Sequence, residues 1–236
     1  MSVDCVIFGF DTKNLNVLLV ERTLYNGNSH KPVFSDYTLT GNHIKQGENP
    51  DEAAVRILTD LIGKNDIYLE QFHTFGGVDR LTQAKDQQWI KSLGTDIAGQ
   101  VFTVGYYSLI DCTSVHINDH NSRTVRWFPV NQLPELGYDH LSILRKALEQ
   151  LQLKVRREPI GFELLSGKFT LTDVQRLYEA ILGTTLDTRN FRKKLAQMKY
   201  IVPLHEKQQE VRHKPAQLFT FSREIYEKTK KKMSIS

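Results

Sequence analysis

The N-terminal part of the chain contains short apolar runs separated by turn-forming residues, a pattern typical of β-strands. Residues 3–10 and 15–22 predict two strands, and the turn-forming residues 11–14 between them predict a hairpin. Apolar runs predict three further strands, over residues 67–75, 101–110 and 124–128. The first two-thirds of the chain are therefore expected to contain a β-sheet.

Two segments of this region change to the three- and four-residue spacing of amphipathic helices. The first begins at Pro50 and ends at Gly63, residue types that suit the first turn and the C-terminal cap. The second covers residues 140–153 and is expected to close an N-terminal domain of residues 1–153. Residues 80–100 are polar and predict a long, mobile loop.

The remaining residues, 154–236, follow the element order of a winged helix-turn-helix. In chain order the pattern predicts a short helix, two longer helices, and two strands joined by a basic loop: residues 161–165, 170–182, 188–198, 201–204 and 217–221, with the loop at 206–215. Docked in this way, the helix at 188–198 would enter a DNA major groove. The basic loop would lie along the backbone or in a minor groove.

The charge distribution supports this division of the chain. Residues 1–150 contain 13 Lys/Arg and 18 Asp/Glu, whereas residues 151–236 contain 18 Lys/Arg and 9 Asp/Glu. A basic domain attracts polyanions because neutralising phosphates releases condensed counterions. A well-solvated lysine-rich surface would explain the charge alone, but charge and helix order together favour binding of double-stranded DNA.

Composition excludes several classes of protein. Hydrophobic residues make up 40% of the chain and charged residues 25%, which is typical of a globular protein with a core. Neither a membrane span nor a signal peptide is expected, and two cysteines are too few for a disulfide scaffold. These features predict a cytoplasmic protein.

A characteristic spacing lies between the first strands and the helix that begins at Pro50. Asn42 is followed after five residues by Glu48, then after seven residues by Arg56, and Gly63 follows. This spacing resembles the Nudix box, a loop-helix-loop motif of hydrolases that cleave diphosphates linked to another group. Asn42 stands where the family has its first glycine.

The box lacks most of the carboxylates on which the family's metal chemistry depends. Ile57, Asp60 and Leu61 occupy the positions of three further glutamates. Isoleucine and leucine cannot hold Mg²⁺, and hydrolysis needs several carboxylates to bind the metal and activate water. We therefore expect a Nudix fold that is not an enzyme and carries no catalytic residue, bound metal or cofactor.

The resemblance extends over nearly the whole chain and is most specific in the winged-helix motifs. The chain is similar to the Nudix-related transcriptional regulators, the NrtR family, in four segments: residues 70–80, 167–180, 187–195 and 214–219. The resemblance implies an α/β/α sandwich with a mixed sheet followed by a C-terminal winged helix. It also implies a homodimeric repressor on a palindromic operator, whose Nudix domain binds a small effector that releases DNA.

Within the family, the chain most resembles the arabinose-responsive repressors (AraR), so the expected effector is L-arabinose and the expected targets are sugar-utilisation genes. Other members of the family sense ADP-ribose and regulate NAD metabolism, which gives the first alternative. The second alternative is a diverged hydrolase of ADP-ribose that uses Glu48, Asp60 and another carboxylate.

Five residues near the degenerate box are candidates for effector binding: Glu21, Arg22, Asn42, His43 and Arg80. Each has a structural alternative. Asn42 could take a left-handed turn in place of glycine, Arg22 could be a solvated charge at a strand end, and Arg80 could brace a loop. A sugar site also favours an aromatic wall. Phe75, Tyr106 and Tyr107 are candidates for that wall or for the core.

The helix predicted at residues 188–198 carries the candidates for reading DNA. Its N-terminal residues are expected to reach base edges: Thr188, Arg189, Asn190, Arg192 and Lys193. Four further residues are expected to contact phosphates: Lys194, Arg212, His213 and Lys214. Cys112, His116 and His120 have a spacing that could bind zinc if they lay on one helix. The turn-forming residues between them argue against a helix, and therefore against a zinc site.

Overall fold

A computed structural model describes residues 1–26, 31–63, 67–94, 100–112, 124–209 and 214–233. Within these residues the N-terminal part forms a seven-stranded sheet. Its strands are β1 (Ser2–Phe10), β2 (Leu15–Tyr25), β3 (Pro32–Thr38), β4 (Thr40–His43), β5 (Tyr68–Phe75), β6 (Thr103–Asp111) and β7 (Val125–Pro129). The predicted strands are all present, whereas β3 and β4 were not predicted.

Strand β1 lies at the centre of the sheet. It runs antiparallel to β2 and β4 but parallel to β6, with Ser2 opposite Thr103, so the sheet is mixed as predicted. Its side chains alternate between two buried layers: Val3, Cys5 and Ile7 belong to one apolar cluster, and Val6, Phe8 and Phe10 to another. A strand buried on both faces identifies the central layer of a three-layer sandwich.

Helices cover both faces of this sheet. Helix α1 (Pro50–Ile62) packs on the first cluster, and it begins at Pro50 and is closed by Gly63, at φ 71°, as predicted. In addition, Asn49 and Glu52 form a reciprocal capping box at its start. Helix α3 (His140–Val155) packs on the second cluster. The N-terminal part is therefore an α/β/α sandwich.

Residues 84–92 differ from the prediction. They form helix α2 (Ala84–Ser92), where a mobile loop was expected over residues 80–100. The helix escapes sequence analysis because Gln83 provides no side-chain cap and because one of its buried residues is Asp86, an acid that ordinarily faces solvent. Asp86 is buried because an arginine far away in sequence pairs with it.

The C-terminal part forms the predicted winged helix. A short 3₁₀ helix at Ile160–Leu164 is followed by α4 (Leu171–Leu182), α5 (Thr188–Gln197), β8 (Ile201–Lys207), β9 (Gln217–Phe221) and α6 (Arg223–Met233). Thr170 and Asp173 form a capping box for α4, Gly183 ends that helix at φ 64°, and Asp187 caps α5 by accepting the Asn190 N–H. Helix α6 was not predicted.

The two parts share one apolar cluster. Residues of β1 and α3 join α4, α5 and β8 in it through the 3₁₀ helix. Gly161 lies at this junction, where a Cβ atom would be 3.3 Å from Val155 and 3.5 Å from Leu177. The winged helix is thus packed on the sandwich. In the described part of the chain, no helix is both long and apolar enough to span a membrane.

Candidate functional site

A cavity of about 350 Å³ opens between the central strands, helix α2 and the N-terminus of α3. All five predicted effector-binding residues line it: Glu21, Arg22, Asn42, His43 and Arg80. They come from β2, β4 and the segment before α2, so only the folded sheet brings them together. The cavity falls in the volume range of small-molecule sites.

Arg22 is buried in the cavity wall, with 3% of its side chain exposed. Its Nε and Nη2 atoms each donate to Asp36 at 2.7 Å, and Nη2 also donates to Asp86 at 2.7 Å. Burial alone would lower the pKa of Arg22, but these hydrogen bonds raise it above its ordinary value. The alternative of a solvated charge at a strand end is therefore wrong.

Aromatic rings enclose the same guanidinium group. Its Cζ atom lies 4.5 Å from the ring centre of Tyr138, 5.1 Å from that of Phe34 and 5.5 Å from that of Trp89. These distances allow favourable cation–π contacts. Atom Nη1 is buried and has no hydrogen-bond partner among the described residues.

Tyr138 reaches its place through an uncommon backbone conformation. Its φ of 56° lies in the left-handed region, which residues other than glycine rarely adopt. Its backbone N–H donates to Asp86 at 3.1 Å, and the preceding Gly137 leaves room for Arg22, whose Nη2 would be 2.3 Å from a Cβ atom there. Such strained positions concentrate at functional sites.

Arg80 links the cavity to the start of helix α3. Its Nε and Nη2 atoms donate to the two carboxylate oxygens of Asp139 at 2.6 and 3.0 Å, and Asp4 lies 3.7 Å from Nη2. Nη1 donates to the Val101 carbonyl at 3.3 Å. Arg80 therefore both lines the cavity and braces the chain around it, which joins the two alternatives considered for this residue.

His140, the first residue of α3, is also part of the cavity wall. Its Nδ1 atom accepts the Leu39 N–H at 2.9 Å, and Nε2 lies 3.7 Å from Asp4. The neutral ring consequently carries its hydrogen on Nε2, facing Asp4. Burial lowers the pKa of His140, a shift that Asp4 and Asp139 oppose and Arg80 and Arg22 reinforce.

The other three predicted residues form a polar rim. Glu21 accepts a hydrogen bond from Ser35 at 3.2 Å, while Asn42 and His43 are exposed in β4. Asn42 pairs with Val3 in the sheet, and among the described residues only Thr12 and Tyr138 have positive φ outside glycine. The left-handed turn considered for Asn42 is therefore wrong.

The aromatic wall consists of residues that the sequence analysis missed. Trp89 and Tyr138 line the cavity, whereas Phe75, Tyr106 and Tyr107 do not. Tyr106 and Tyr107 are buried in the core, and Phe75 packs against it. A helical interpretation of residues 84–92 would have placed Trp89 one turn beyond Asp86, and no such signal precedes Tyr138.

The degenerate box lies outside the cavity except at its first residues. Glu48 accepts hydrogen bonds from Arg56 at 2.6 and 2.8 Å, which together with the Lys45 N–H lower the pKa of Glu48 to about 2. Ile57 is buried in the core, Leu61 packs against it, and Asp60 is exposed.

This set does not fit the divalent metal of the hydrolases, because its remaining glutamate is held by an arginine and two other positions are apolar. Within the described residues, no three His, Cys, Asp or Glu side chains form a group that could hold a metal ion. Cys112 is half-buried, which with nearby Asp11 and Asp111 raises the pKa of its thiol to about 12. His116 and His120 lie outside the described residues.

The predicted DNA-reading residues form an exposed surface on α5. All six that belong to this helix are exposed: Thr188, Arg189, Asn190, Arg192, Lys193 and Lys194. The opposite face of the helix turns inward, where Leu195 is buried and Phe191 and Met198 pack against the core. A helix anchored in this way presents its polar face as a rigid unit.

Two neighbouring elements fix the orientation of this surface. Gln175 of α4 donates to the Thr188 hydroxyl at 3.1 Å, and Arg192 donates to the Thr172 hydroxyl at 3.4 Å. Lys214, at the start of the segment before β9, is exposed, whereas Arg212 and His213 lie outside the described residues. The described part of the predicted phosphate-contacting set therefore comprises Lys194 and Lys214.

Two known families match separate parts of the chain. Residues 1–151 match the NUDIX domain, and residues 161–221 match the NrtR DNA-binding winged helix domain. The first match covers more than half of the chain, so the chain belongs to the Nudix family. The second match shows, more narrowly, that this Nudix domain carries the DNA-binding module of the NrtR regulators, as the sequence motifs predicted.

Two relatives are similar to this protein over nearly the whole chain. The chain is 29% identical over 231 residues to the ADPR responsive transcriptional repressor NtrR of Acinetobacter baylyi, a match that covers 96% of this chain and 84% of the relative. It also resembles the crystal structure of Shewanella oneidensis NrtR complexed with a 27mer DNA, at 27% identity and a TM-score of 0.72, covering 94% and 93% of the chains.

A third similarity concerns the fold alone. A MutT/nudix family protein from Enterococcus faecalis is 20% identical, with a TM-score of 0.63, and the match covers 94% of this chain and 87% of that protein. The predicted NrtR family and its fold are thus confirmed, whereas a particular closeness to the arabinose-responsive repressors is not among these findings.

Proposed function

We propose that this protein is a transcriptional repressor whose Nudix domain binds a small effector in the cavity and thereby releases DNA from the winged helix. The observation that carries the proposal is one chain with a cavity in its Nudix part and an exposed basic helix, α5, in its DNA-binding part. The relative from Acinetobacter baylyi, a repressor similar over 96% of this chain, supports the assignment as a repressor.

We infer that ADP-ribose is the effector. The relative is named as responsive to ADPR, and the cavity offers features suited to a nucleotide sugar. Trp89 and Tyr138 provide aromatic surface for a base, and Glu21, Asn42 and His43 provide hydrogen-bonding groups for ribose hydroxyls. This assignment replaces the L-arabinose expected from sequence as the leading candidate.

One observation favours L-arabinose as a second candidate. The two arginines of the cavity are already paired with carboxylates, Arg22 with Asp36 and Asp86, and Arg80 with Asp139. Asp4 and Glu21 add further acids to the wall. A neutral sugar needs hydroxyl-binding groups and no unpaired cation, whereas a diphosphate is held best by charge-assisted hydrogen bonds.

We propose further that the domain is not a hydrolase, because Glu48 is engaged by Arg56 and the core takes up Ile57 and Leu61. We also propose that the protein acts in the cytoplasm as a homodimer. The twofold symmetry of the dimer would match the symmetry of a palindromic operator. Glu21, Arg22, Asn42, His43 and Arg80 form the effector-binding set. The α5 residues and the segment containing Arg212, His213 and Lys214 form the DNA-binding set.

The effector is identified by thermal unfolding without magnesium, with ADP-ribose and L-arabinose in parallel. A ligand at about 100 times its Kd stabilises the folded protein by roughly 2.7 kcal/mol. We expect a shift with ADP-ribose and loss of that shift in Asn42→Ala, with Asn14→Ala in the β1–β2 turn as the control. A shift with L-arabinose alone identifies the second candidate, and a shift with neither contradicts the sensor function.

DNA release is measured by fluorescence anisotropy of operator DNA, with and without the ligand that stabilises the protein. Incubation with magnesium and ADP-ribose tests the enzyme alternative. Turnover that Glu48→Gln abolishes would overturn the assignment as a regulator. Sedimentation of the free protein tests the dimer.

A further inference from the structure

Helix α3 is in contact with both the cavity and the DNA-binding part. Its N-terminal end carries His140 in the cavity wall, and the preceding Asp139 holds Arg80. Near its other end, Gln152 donates through Nε2 to the Ile181 carbonyl of α4 at 2.8 Å. The helix has 16 residues and so is about 24 Å long, at 1.5 Å per residue.

The middle of α3 is embedded in the core. Ile143, Leu144, Ala147 and Leu151 are fully buried in the apolar cluster shared by the two parts of the chain. Close-packed interiors deform little, so a displacement at one end of the helix is carried to the other. The helix is therefore able to connect the cavity mechanically with α4.

The bond to Ile181 lies at a sensitive point of α4. The last four carbonyl groups of a helix lack partners within it, and Gln152 satisfies one of them from the neighbouring part of the molecule. At an earlier turn of α4, Gln175 donates to the Leu186 carbonyl at 3.2 Å and to the Thr188 hydroxyl at 3.1 Å. Thr188 is the first residue of α5.

We propose that Gln152 is the positioning residue that transmits effector binding to the DNA-reading helix. A ligand in the cavity changes the balance between Arg80 and Asp139, α3 shifts as a unit, and Gln152 moves the C-terminal end of α4 together with the start of α5. This inference rests on the proposed sensor function, and it specifies how that function is regulated.

The experiment compares Gln152→Ala and Gln152→Glu with the matched control Gln150→Ala on the same helix. Gln152→Glu keeps the side-chain shape but replaces the donor with a carboxylate, which cannot hydrogen-bond a carbonyl. For each protein, operator affinity is measured with and without saturating ADP-ribose, and with L-arabinose as a second probe. Ligand affinity is measured separately on DNA-free protein.

We expect both Gln152 variants to reduce the ligand-induced loss of operator affinity by at least about fivefold, the lower end of typical allosteric coupling. Their affinities for ligand alone and for DNA alone should remain near those of the wild type, because neither binding surface contains Gln152. A purely structural role would lower the melting temperature but leave the ratio of operator affinities unchanged.

Unchanged coupling in both Gln152 variants, in a wild type that releases DNA, would overturn this inference and leave the sensor function intact. If neither ligand changes the operator affinity of the wild type, the sensor function is overturned as well. Hydrogen exchange gives a second readout: ligand should speed exchange around Gly183 in the wild type and in Gln150→Ala, and leave it unchanged in Gln152→Ala.

Discussion

The two parts of this molecule use arginine and lysine in opposite ways. In the sandwich, Arg22 and Arg80 have 3% and 7% of their side chains exposed, and each is paired with a carboxylate. On α5, the basic side chains are exposed, and none of them forms an ion pair within the described residues. Charge in the first part maintains the shape of a cavity, and charge in the second remains available to a polyanion.

This difference follows from solvation. A buried charge is stable only when hydrogen-bonded partners replace water, so Arg22 requires Asp36 and Asp86. An exposed lysine keeps its hydration until a phosphate replaces it and releases counterions. Substitution of a basic residue should accordingly affect stability in the sandwich and DNA affinity in the winged helix.

The largest expected effect is that of Arg22→Leu. The substitution removes the arginine from Asp36 and Asp86, which leaves Asp36 with Lys85 at 2.9 Å and Asp86 with the Tyr138 N–H at 3.1 Å among the described residues. Breaking a buried ion pair by removing one partner typically costs about 3–5 kcal/mol. Urea denaturation should show this loss, whereas Arg189→Leu on α5 should change stability by less than about 0.5 kcal/mol. Similar losses for both variants would contradict the comparison.

The next effect concerns recognition of DNA. If Arg192 reads a base, Arg192→Ala should reduce discrimination between operator and scrambled DNA by about 1–3 kcal/mol. Lys214→Ala should weaken binding to both DNAs alike and reduce the slope of log affinity against log salt concentration by about one, because one phosphate contact is lost. Titrations at several salt concentrations separate these outcomes. Equal loss on both DNAs for Arg192→Ala would show that it contacts only phosphates.

A pH-dependent effect should come from His140. Because its pKa is lowered in the folded protein, its contribution to stability is complete above the ordinary histidine pKa of about 6.5. That contribution is lost as pH falls below this value, by at most about 1.4 kcal/mol per pH unit, since the unfolded chain then binds the proton more readily. In His140→Asn the amide oxygen can accept the Leu39 N–H, and the slope from His140 should vanish.

Denaturation at pH 5, 6 and 7 measures that slope. The charged groups that act on the ring are the carboxylates of Asp4 and Asp139 and the guanidinium groups of Arg80 and Arg22. The control is Asp139→Asn, which removes one of these charges, retains His140 and should retain most of the slope. An identical slope in His140→Asn would assign the pH dependence to other groups.

The smallest effect is expected at Glu48. Its pKa of about 2 means that the ion pair with Arg56 is fully present above the ordinary glutamate pKa of about 4.3 and is lost as pH falls toward 2. Glu48→Gln should therefore lower the melting temperature slightly at pH 7, and the difference from wild type should shrink at pH 3. A loss comparable with that of Arg22→Leu would show that the degenerate box supports the fold.

Sequence analysis succeeded where local chemistry determines structure. The capping residues Asn49, Thr170 and Asp187, and the glycines that end α1 and α4, mark helix ends through contacts within a few residues. The apolar run of residues 3–10 likewise predicted strand β1, whereas its burial on both faces became evident only in the structure. These signals predicted the elements of the winged helix and the exposed face of α5, whereas the mixed sheet was expected from the family resemblance.

It failed where a position depends on partners far away in sequence. Asp86 is buried because Arg22, 64 residues earlier, pairs with it, and no local pattern of α2 records that pairing. Tyr138 reaches the cavity through a left-handed backbone that propensities would assign to glycine or asparagine. The five cavity residues were selected through a family resemblance, and their convergence required the folded sheet.

The parallel pairing of β1 with β6 also has a consequence during synthesis of the chain. Ser2 is translated about 100 residues before its neighbour Thr103, which at roughly 5–20 residues per second is a delay of about 5–20 s. Until then the nascent chain exposes one edge of its most apolar strand, as chaperone substrates do. The central strand of the sheet is thus translated before the other six described strands and is among the last to complete its pairing.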